Sequence, residues 1–289
     1  MNEKESQDLL SLLSILPDGL SDAELKQSKF EVQNILDCKR ALVRIALAYI
    51  DDHKQLKVLV PIKEYMQKFL PPADRMIRPL FKDFREVLQM YTSDQGKPSA
   101  TLYVERLTSN YTNIQNTILS RLHPGHPDLT DSIYCTADFN KFSAAIGKGM
   151  VPLMDKVITL LPHSRNSEVK AYFTINFLGA YLSSDCEAMI DQTLEHFNDF
   201  SDPDLKCHFY IALAHYYYLK HDIPTSLKYS QMALSLAKSH GNMRGQFNAL
   251  YRLFVVKYNA GDYITGLAYA QEMQRLENIF GDLFREARG

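Results

Sequence analysis

Three places in this chain carry residue types that could do chemistry. The first is His123-Pro124-Gly125-His126-Pro127-Asp128, where two imidazoles and a carboxylate are of metal-ligating type. Two prolines and a glycine make that segment a turn, and no second ligand pair lies near it in sequence, so metal binding is not expected. In the second, Cys207, His208 and His215 fall near one helical face and raise a zinc site or a Cys–His nucleophile. Neither an orienting third group nor an oxyanion-hole motif accompanies them, so core or groove residues are the expectation. The third, Gly147-Lys148-Gly149, comes nearest to a phosphate loop. It has no glycine five residues before Gly147 and no hydroxyl after Lys148, so it supplies neither an N–H cradle nor a magnesium ligand. No catalytic, cofactor-binding or metal-binding residue is expected, and the chain reads as a non-enzyme.

Two further sets suit recognition rather than catalysis. Asn110, Asn113 and Asn116 share a stripe at three-residue spacing, which fits either ligand hydrogen bonding or backbone contacts in a tight helix–helix seam. Tyr216-Tyr217-Tyr218 fits an aromatic clamp for a peptide, or a run split between one packed ring and two partly exposed ones.

Composition narrows the partner. Of 289 residues, 46% are hydrophobic and 23% charged, enough for a substantial core. A formal net charge of -2 gives no electrostatic case for nucleic acid or an anionic membrane. The four cysteines are widely separated, as in a reduced intracellular protein. The start, Met1-Asn2-Glu3-Lys4-Glu5, is polar where a signal peptide is basic and then apolar. The most apolar stretch, 41–50, is interrupted by Arg44 and too short to span a bilayer. A cytoplasmic location is expected.

The elements that must position these residues begin with helices. Leu9, Leu10, Leu12, Leu13, Ile15 and Leu16 give 7–16 a wide apolar face, stopped by Pro17-Asp18-Gly19. Ser21 with Glu24 is a capping box opening a helix from Asp22 to about Lys29. Asn34 is placed to cap a third helix ending near Arg44. Short β-prone runs at 46–50 and 56–60 flank the polar turn 51–55. Three helices and a hairpin make a winged-helix layout. Its DNA-binding version needs basic residues on the third helix and wing, but Lys39, Arg40 and Arg44 are opposed by Asp37, Asp51 and Asp52, so packing against protein is expected.

The runs Leu9-Leu10-Ser11-Leu12-Leu13-Ser14-Ile15-Leu16-Pro17-Asp18-Gly19-Leu20-Ser21, Leu59-Val60-Pro61-Ile62-Lys63-Glu64-Tyr65-Met66 and Phe69-Leu70-Pro71-Pro72 look like the winged-helix module of STAND-type signalling NTPases. The likeness is to the set in mushroom-forming fungi, and it extends to Lys206-Cys207-His208-Phe209-Tyr210 and Arg285-Glu286-Ala287. It implies a P-loop domain ahead of the winged helix and tetratricopeptide-like repeats behind it. This chain holds no P-loop, so the resemblance implies the half downstream of the ATPase. Where many relatives place a phosphate-sensing His, the strand-to-helix junction reads Val60-Pro61, with no side chain able to donate to phosphate.

After Pro71-Pro72, 74–91 and 100–122 are predicted helices, the second long and unbroken, followed by helices at 131–146 and 152–161. Then the chain repeats itself. His221-Asp222-Ile223-Pro224-Thr225-Ser226-Leu227-Lys228-Tyr229 is echoed forty residues on by Gly261-Asp262-Tyr263-Ile264-Thr265-Gly266-Leu267-Ala268-Tyr269. The same offset maps Gly241-Asn242 onto Gly281-Asp282. Such a period marks stacked helical hairpins, each burying its apolar face on its neighbour. Tyr210, Leu213, Ala214, Tyr217 and Ala233 fall where tetratricopeptide units alternate large and small residues; a weaker unit, 167–182 plus 187–200, precedes them. The spacing exceeds the usual value of about thirty-four.

The expectation is an all-α protein with a small β-wing: a winged-helix-like domain at 1–72, a helical connector at 73–163 and tetratricopeptide-like repeats at 164–289. Its expected function is protein recognition or regulatory coupling in a STAND-like signalling system; the alternatives are a free-standing repeat adaptor and, more distantly, a winged-helix DNA-binding regulator. Candidate partner-binding residues are Tyr216, Tyr218, Arg252 and Lys257, with Phe280 and Phe284 on an apolar stripe expected to self-associate. Expected partners are a protein or peptide on the repeats and an upstream nucleotide-binding domain.

Overall fold

A computed structural model describes residues 3–27, 30, 32, 34–94, 98–164, 166–179 and 185–286, with 280–286 described by their backbone alone. The chain divides into two compact units, Met1–Leu160 and Leu161–Gly289. Segments expected as a separate winged-helix-like domain and connector therefore share the first unit. The described residues are mostly helical, with one two-stranded antiparallel sheet. No described helix is long and apolar enough to cross a membrane.

The first unit opens with α1 (Glu3–Ser14), α2 (Asp22–Gln27) and α3 (Ile35–Arg44). Leu9, Leu12, Leu13 and Leu16 are buried, as the leucine face requires. The capping box forms: Ser21 N–H and Oγ both donate to Glu24 Oε2 at 2.7 Å, and Glu24 N–H donates to Ser21 Oγ at 3.2 Å. Asn34 does precede α3, but its side chain makes no capping bond. Strands β1 (Ala48–Ile50) and β2 (Leu56–Val58) pair Ala48 with Val58 and Ile50 with Leu56; both are shorter than the expected runs. Asp51 makes the turn, accepting from the N–H groups of His53 at 3.0 Å and Gln55 at 2.9 Å. Leu20 extends the sheet by bridging to Leu56. Helix α4 (Val60–Phe69) begins where β2 ends, with Pro61 in its first turn, where a missing N–H costs nothing.

Helix α5 (Asp74–Ser93), on the helix expected over 74–91, buries Met76, Ile77, Leu80, Phe81, Phe84, Val87 and Leu88. The long helix expected over 100–122 is instead two, α6 (Thr101–Ser109) and α7 (Tyr111–Leu119). The break sits at Asn110, and the cap that restarts the helix comes from far away in the chain. Asp18 Oδ2 accepts from the N–H groups of Thr112 at 2.6 Å and Asn113 at 3.0 Å. The asparagine stripe completes this seam. Asn113 donates to Gly19 O at 2.7 Å and accepts from Asp18 N–H at 3.0 Å, while Asn116 donates to Ile15 O at 2.9 Å. Asn110 donates to Glu24, joining the seam to the capping box. Helices α8 (Leu129–Ala145) and α9 (Leu153–Leu160) complete the unit.

The second unit contains α10 (Ser167–Leu178), α11 (Asp185–Glu195), a short 3-10 turn (Phe197–Asp199), α12 (Pro203–Leu219), α13 (Ile223–Ser239), α14 (Met243–Asn259) and α15 (Tyr263–Glu286). Helices α12, α13 and α14 each have 17 residues. Their N-caps recur in step at Asp202, Asp222 and Asn242, whose side chains accept from N–H groups in the following turn, and Asp262 does the same for α15. Between helices the chain turns through His221 at φ 61, Gly241 at φ 68 and Gly261 at φ 78. The forty-residue echo is thus two helix-and-turn units, each closed by a left-handed residue and reopened by an Asx cap. Its last expected term fails: α15 runs on past Gly281 and Asp282 to Glu286, so no turn forms there.

His221 is the one of these three turn residues that carries a Cβ into left-handed backbone, which is strained for L-residues. Replacing it with glycine, as at 241 and 261, is expected to raise stability by up to about 1 kcal/mol, less the entropy glycine adds to the unfolded chain. A urea midpoint that rises with an unchanged slope is the expected result; a lower midpoint would show that the imidazole earns its place by contacts.

Candidate functional site

A helix presents residues three and four apart on one face. On α12 the stripe Asp204, His208, Ile211, His215, Tyr218 faces the same way as Arg244, Asn248, Tyr251, Val255, Tyr258 on α14, because each pair is separated by the forty-residue repeat. Cross-links hold the two helices side by side along this face. Asn242 donates to Asp204 Oδ1 at 2.6 Å, Arg252 donates to His215 Nδ1 at 2.9 Å, and Asn259 donates to the Tyr218 hydroxyl. Tyr251 and Tyr258 are 45% and 54% exposed beside them.

Arg252 is the electrostatic centre of the face. It is half-buried, its guanidinium lies 5.8 Å from the Tyr251 ring centroid, and it has no carboxylate partner among the described residues. Burial pulls its pKa below the ordinary value. His215 must present an unprotonated Nδ1 to it, and burial followed by the Arg252 charge pushes the imidazole pKa down. A half-desolvated cation bonded to a neutral ring is able to accept a carboxylate or a carbonyl oxygen from outside.

Of the sequence candidates, Tyr218 and Arg252 meet here. Tyr216 does not: it is 1% exposed, because it lies two residues, about 200° round the helix, from Tyr218 and points into the hairpin, where Lys220 covers it. Lys257 is also drawn away, pairing with Asp262 at the start of α15 at 3.0 Å. The side chains of Phe280 and Phe284 lie outside the described residues. Tyr251 and Tyr258 were not singled out from sequence, although carrying the echo forward from Ile211 and Tyr218 lands on both.

The chemistry-bearing sets resolve differently. Cys207 is 1% exposed among Ala233, Ala237 and Ala249, and burial pushes its thiol up to about 11. His208 is exposed on the α12 stripe with His215, whereas Cys207 is turned into the core. A Cβ on Gly245 would come within 2.9 Å of the Cys207 sulfur, which explains a glycine inside α14. In the histidine turn, His126 Nδ1 accepts from Asp128 N–H at 3.0 Å while its Nε2 faces Arg121 at 3.5 Å, leaving no lone pair for a metal. No cluster of three or more metal-ligating side chains occurs among the described residues. The open cleft beside Ser21, Glu24, Gln55 and Arg106 offers little: Glu24 is consumed by Ser21 and Asn110, and Arg106 by Asp83. On α3 and the hairpin, Lys39 pairs with Asp22, Arg40 with Asp37 and Lys57 with Asp51, spending charge that phosphate contacts would need.

No family model, no curated protein and no solved structure matches this chain.

Proposed function

We propose that the chain is a non-catalytic protein-recognition segment, with α12–α15 as tetratricopeptide-like hairpins and the α12–α14 face as its partner-binding surface. The observation that carries this reading is Arg252: a half-buried cation without a described carboxylate partner, flanked by exposed Tyr251 and Tyr258. Tyrosine and arginine at the centre of a surface are the residue types that dominate binding energy. The partner presents a carboxylate to Arg252 and apolar groups to the two rings.

The order of three helices, a hairpin and a following helix at α1–α4 supports a winged-helix reading of that region, and the resemblance of its sequence to STAND-type signalling NTPases of fungi supports a regulatory role. In that setting the first unit packs against protein, and the helical hairpins receive the signal. Four buried, unbridged cysteines are in keeping with the reducing cytoplasm.

The test is cross-linking and mass spectrometry on the wild type, Arg252→Ala and Tyr251→Ala in cells that express the protein. Both variants are expected to lose the same partner, with affinity falling roughly tenfold or more for each. A partner retained undiminished by both, with each variant folded by circular dichroism, would show that binding lies elsewhere.

A further inference from the structure

Strand β1 is the edge of its sheet, and β2 determines which of its backbone groups are free. Leu56 bonds Leu20 with both its N–H, at 2.9 Å, and its C=O, at 3.2 Å. Successive residues of an antiparallel strand direct these groups to alternate sides, so Leu56 and Val58 bond away from β1 and Lys57 bonds towards it. Tyr49, opposite Lys57, therefore carries the bonds from β1 to β2. Ala48 and Ile50, opposite Val58 and Leu56, turn their N–H and C=O groups to the outer edge. The strand order ends at β1, and no described side chain or loop bonds either residue there.

Nothing in the local sequence blunts this edge. Free strand edges template another strand, so they are usually guarded by a lysine, a proline, a bulge or a covering element. Strand β1 reads Ala-Tyr-Ile; Tyr49 and Ile50 are 42% and 46% exposed, and Ile45, just before them, is 52% exposed. Charge lies at the two ends instead. Arg44 precedes the strand and Asp52 follows it, both exposed and neither with an ion-pair partner among the described residues. Asp51, by contrast, is held by Lys57 at 2.8 Å. The exposed Lys54 stands further along the turn.

We propose that β1 pairs antiparallel with β1 of a second copy of this chain, about a two-fold axis at Tyr49. That register sets Ala48 against Ile50 of the second copy, and each of the two resulting pairs exchanges both N–H···O bonds. The contact is self-complementary and closes at two copies. Antiparallel order brings Arg44 of each copy towards Asp52 of the other, whereas parallel order sets like charges side by side.

Preorganisation also favours a second copy over an extended segment from elsewhere. A loose segment loses chain entropy when it is ordered on an edge. In every copy of this chain β1 is already held extended by β2 and carries the same unbonded groups. The shared surface is small, which makes the association weak and concentration-dependent. It lies in the Met1–Leu160 unit and does not rest on the α12–α14 reading.

The test is sedimentation velocity and hydrogen exchange on the full chain, from micromolar to several hundred micromolar protein. A monomer–dimer equilibrium is expected, with exchange slowing in the fragment covering 45–52 as the dimer fills and unchanged in fragments of α15. Ile50→Pro removes an outward N–H that the monomer does not use, so it should abolish the dimer and leave the circular dichroism unchanged. Charge reversal provides an arm that leaves the backbone alone. Asp52→Arg is expected to weaken dimerisation about fivefold, and adding Arg44→Glu to the same chain should restore it. A chain monomeric across the whole range, a dimer protected outside 45–52 only, or a dimer indifferent to Ile50→Pro and to the charge reversals would overturn the proposal.

Discussion

Replacing Asn113 with alanine is expected to destabilise the Met1–Leu160 unit by about 3 kcal/mol, because a fully buried amide loses bonds at both ends and leaves partners unsatisfied. Asn113 is 0% exposed; its Nδ2 donates to Gly19 O at 2.7 Å and to Asn110 Oδ1 at 3.0 Å, while its Oδ1 accepts from Asp18 N–H. Removing it strands a carbonyl and an N–H in the seam between the 15–20 turn and α7. Asn116→Ala deletes one bond, to Ile15 O at 2.9 Å, from a half-buried position and should cost about 1 kcal/mol. Hydrogen exchange followed by mass spectrometry on fragments covering 15–24 and 110–119 reads both effects locally. Equal protection losses in the two variants would mean that the seam is held by apolar packing rather than by the amides.

Arg121→Met is the second large effect, expected at about 3–4 kcal/mol because it leaves a buried carboxylate uncompensated. Arg121 is 1% exposed, lies 5.0 Å from the Phe81 ring centroid, and donates to Asp128 Oδ2 at 2.6 Å and Asp74 Oδ1 at 2.7 Å. Arg78 also reaches Asp128, at 3.2 Å, which holds the loss below the full cost of an isolated charge. Asp128→Asn in the same background should recover part of it, since the charge left behind is then removed.

The same cluster sets a pH dependence. Burial first, then Arg121 and His123, push the His126 pKa below its ordinary 6.5, against opposing pulls from Asp128 and Asp74. The folded protein therefore binds fewer protons than the unfolded chain just below pH 6.5, so stability is full above that value and falls as pH drops towards the folded pKa. Arg121→Met removes one of the causes and should flatten this slope between pH 5 and 7, as read by urea midpoints across that range. A steeper slope in the variant would mean that Arg121 supports the imidazolium instead of opposing it.

Much of the fold was legible because its signals are local. The capping box at Ser21 and Glu24, the proline opening α4 and the left-handed turn before Asp222 and Asp262 each depend on neighbours within a few residues. The apolar faces of α1 and α5 follow from spacing alone. The echo specified the paired helices α12–α15 and, carried forward, the positions that face one another on α12 and α14.

What tertiary structure alone decided involves partners remote in the chain. The helix expected over 100–122 breaks at Asn110 because Asp18 supplies a cap across 94 residues, and nothing local announces it. Which tyrosine of Tyr216-Tyr217-Tyr218 is exposed depends on helix rotation set by the neighbouring helices: Tyr216 turns inward, Tyr217 stacks on Tyr229 and Tyr218 reaches Asn259. Arg252 could be named as a basic residue from sequence, but its half-buried place beside His215 required α12 and α14 to be set together. Local propensity determines where elements start and stop; the electrostatics of a site depend on distances between elements, which propensity does not encode.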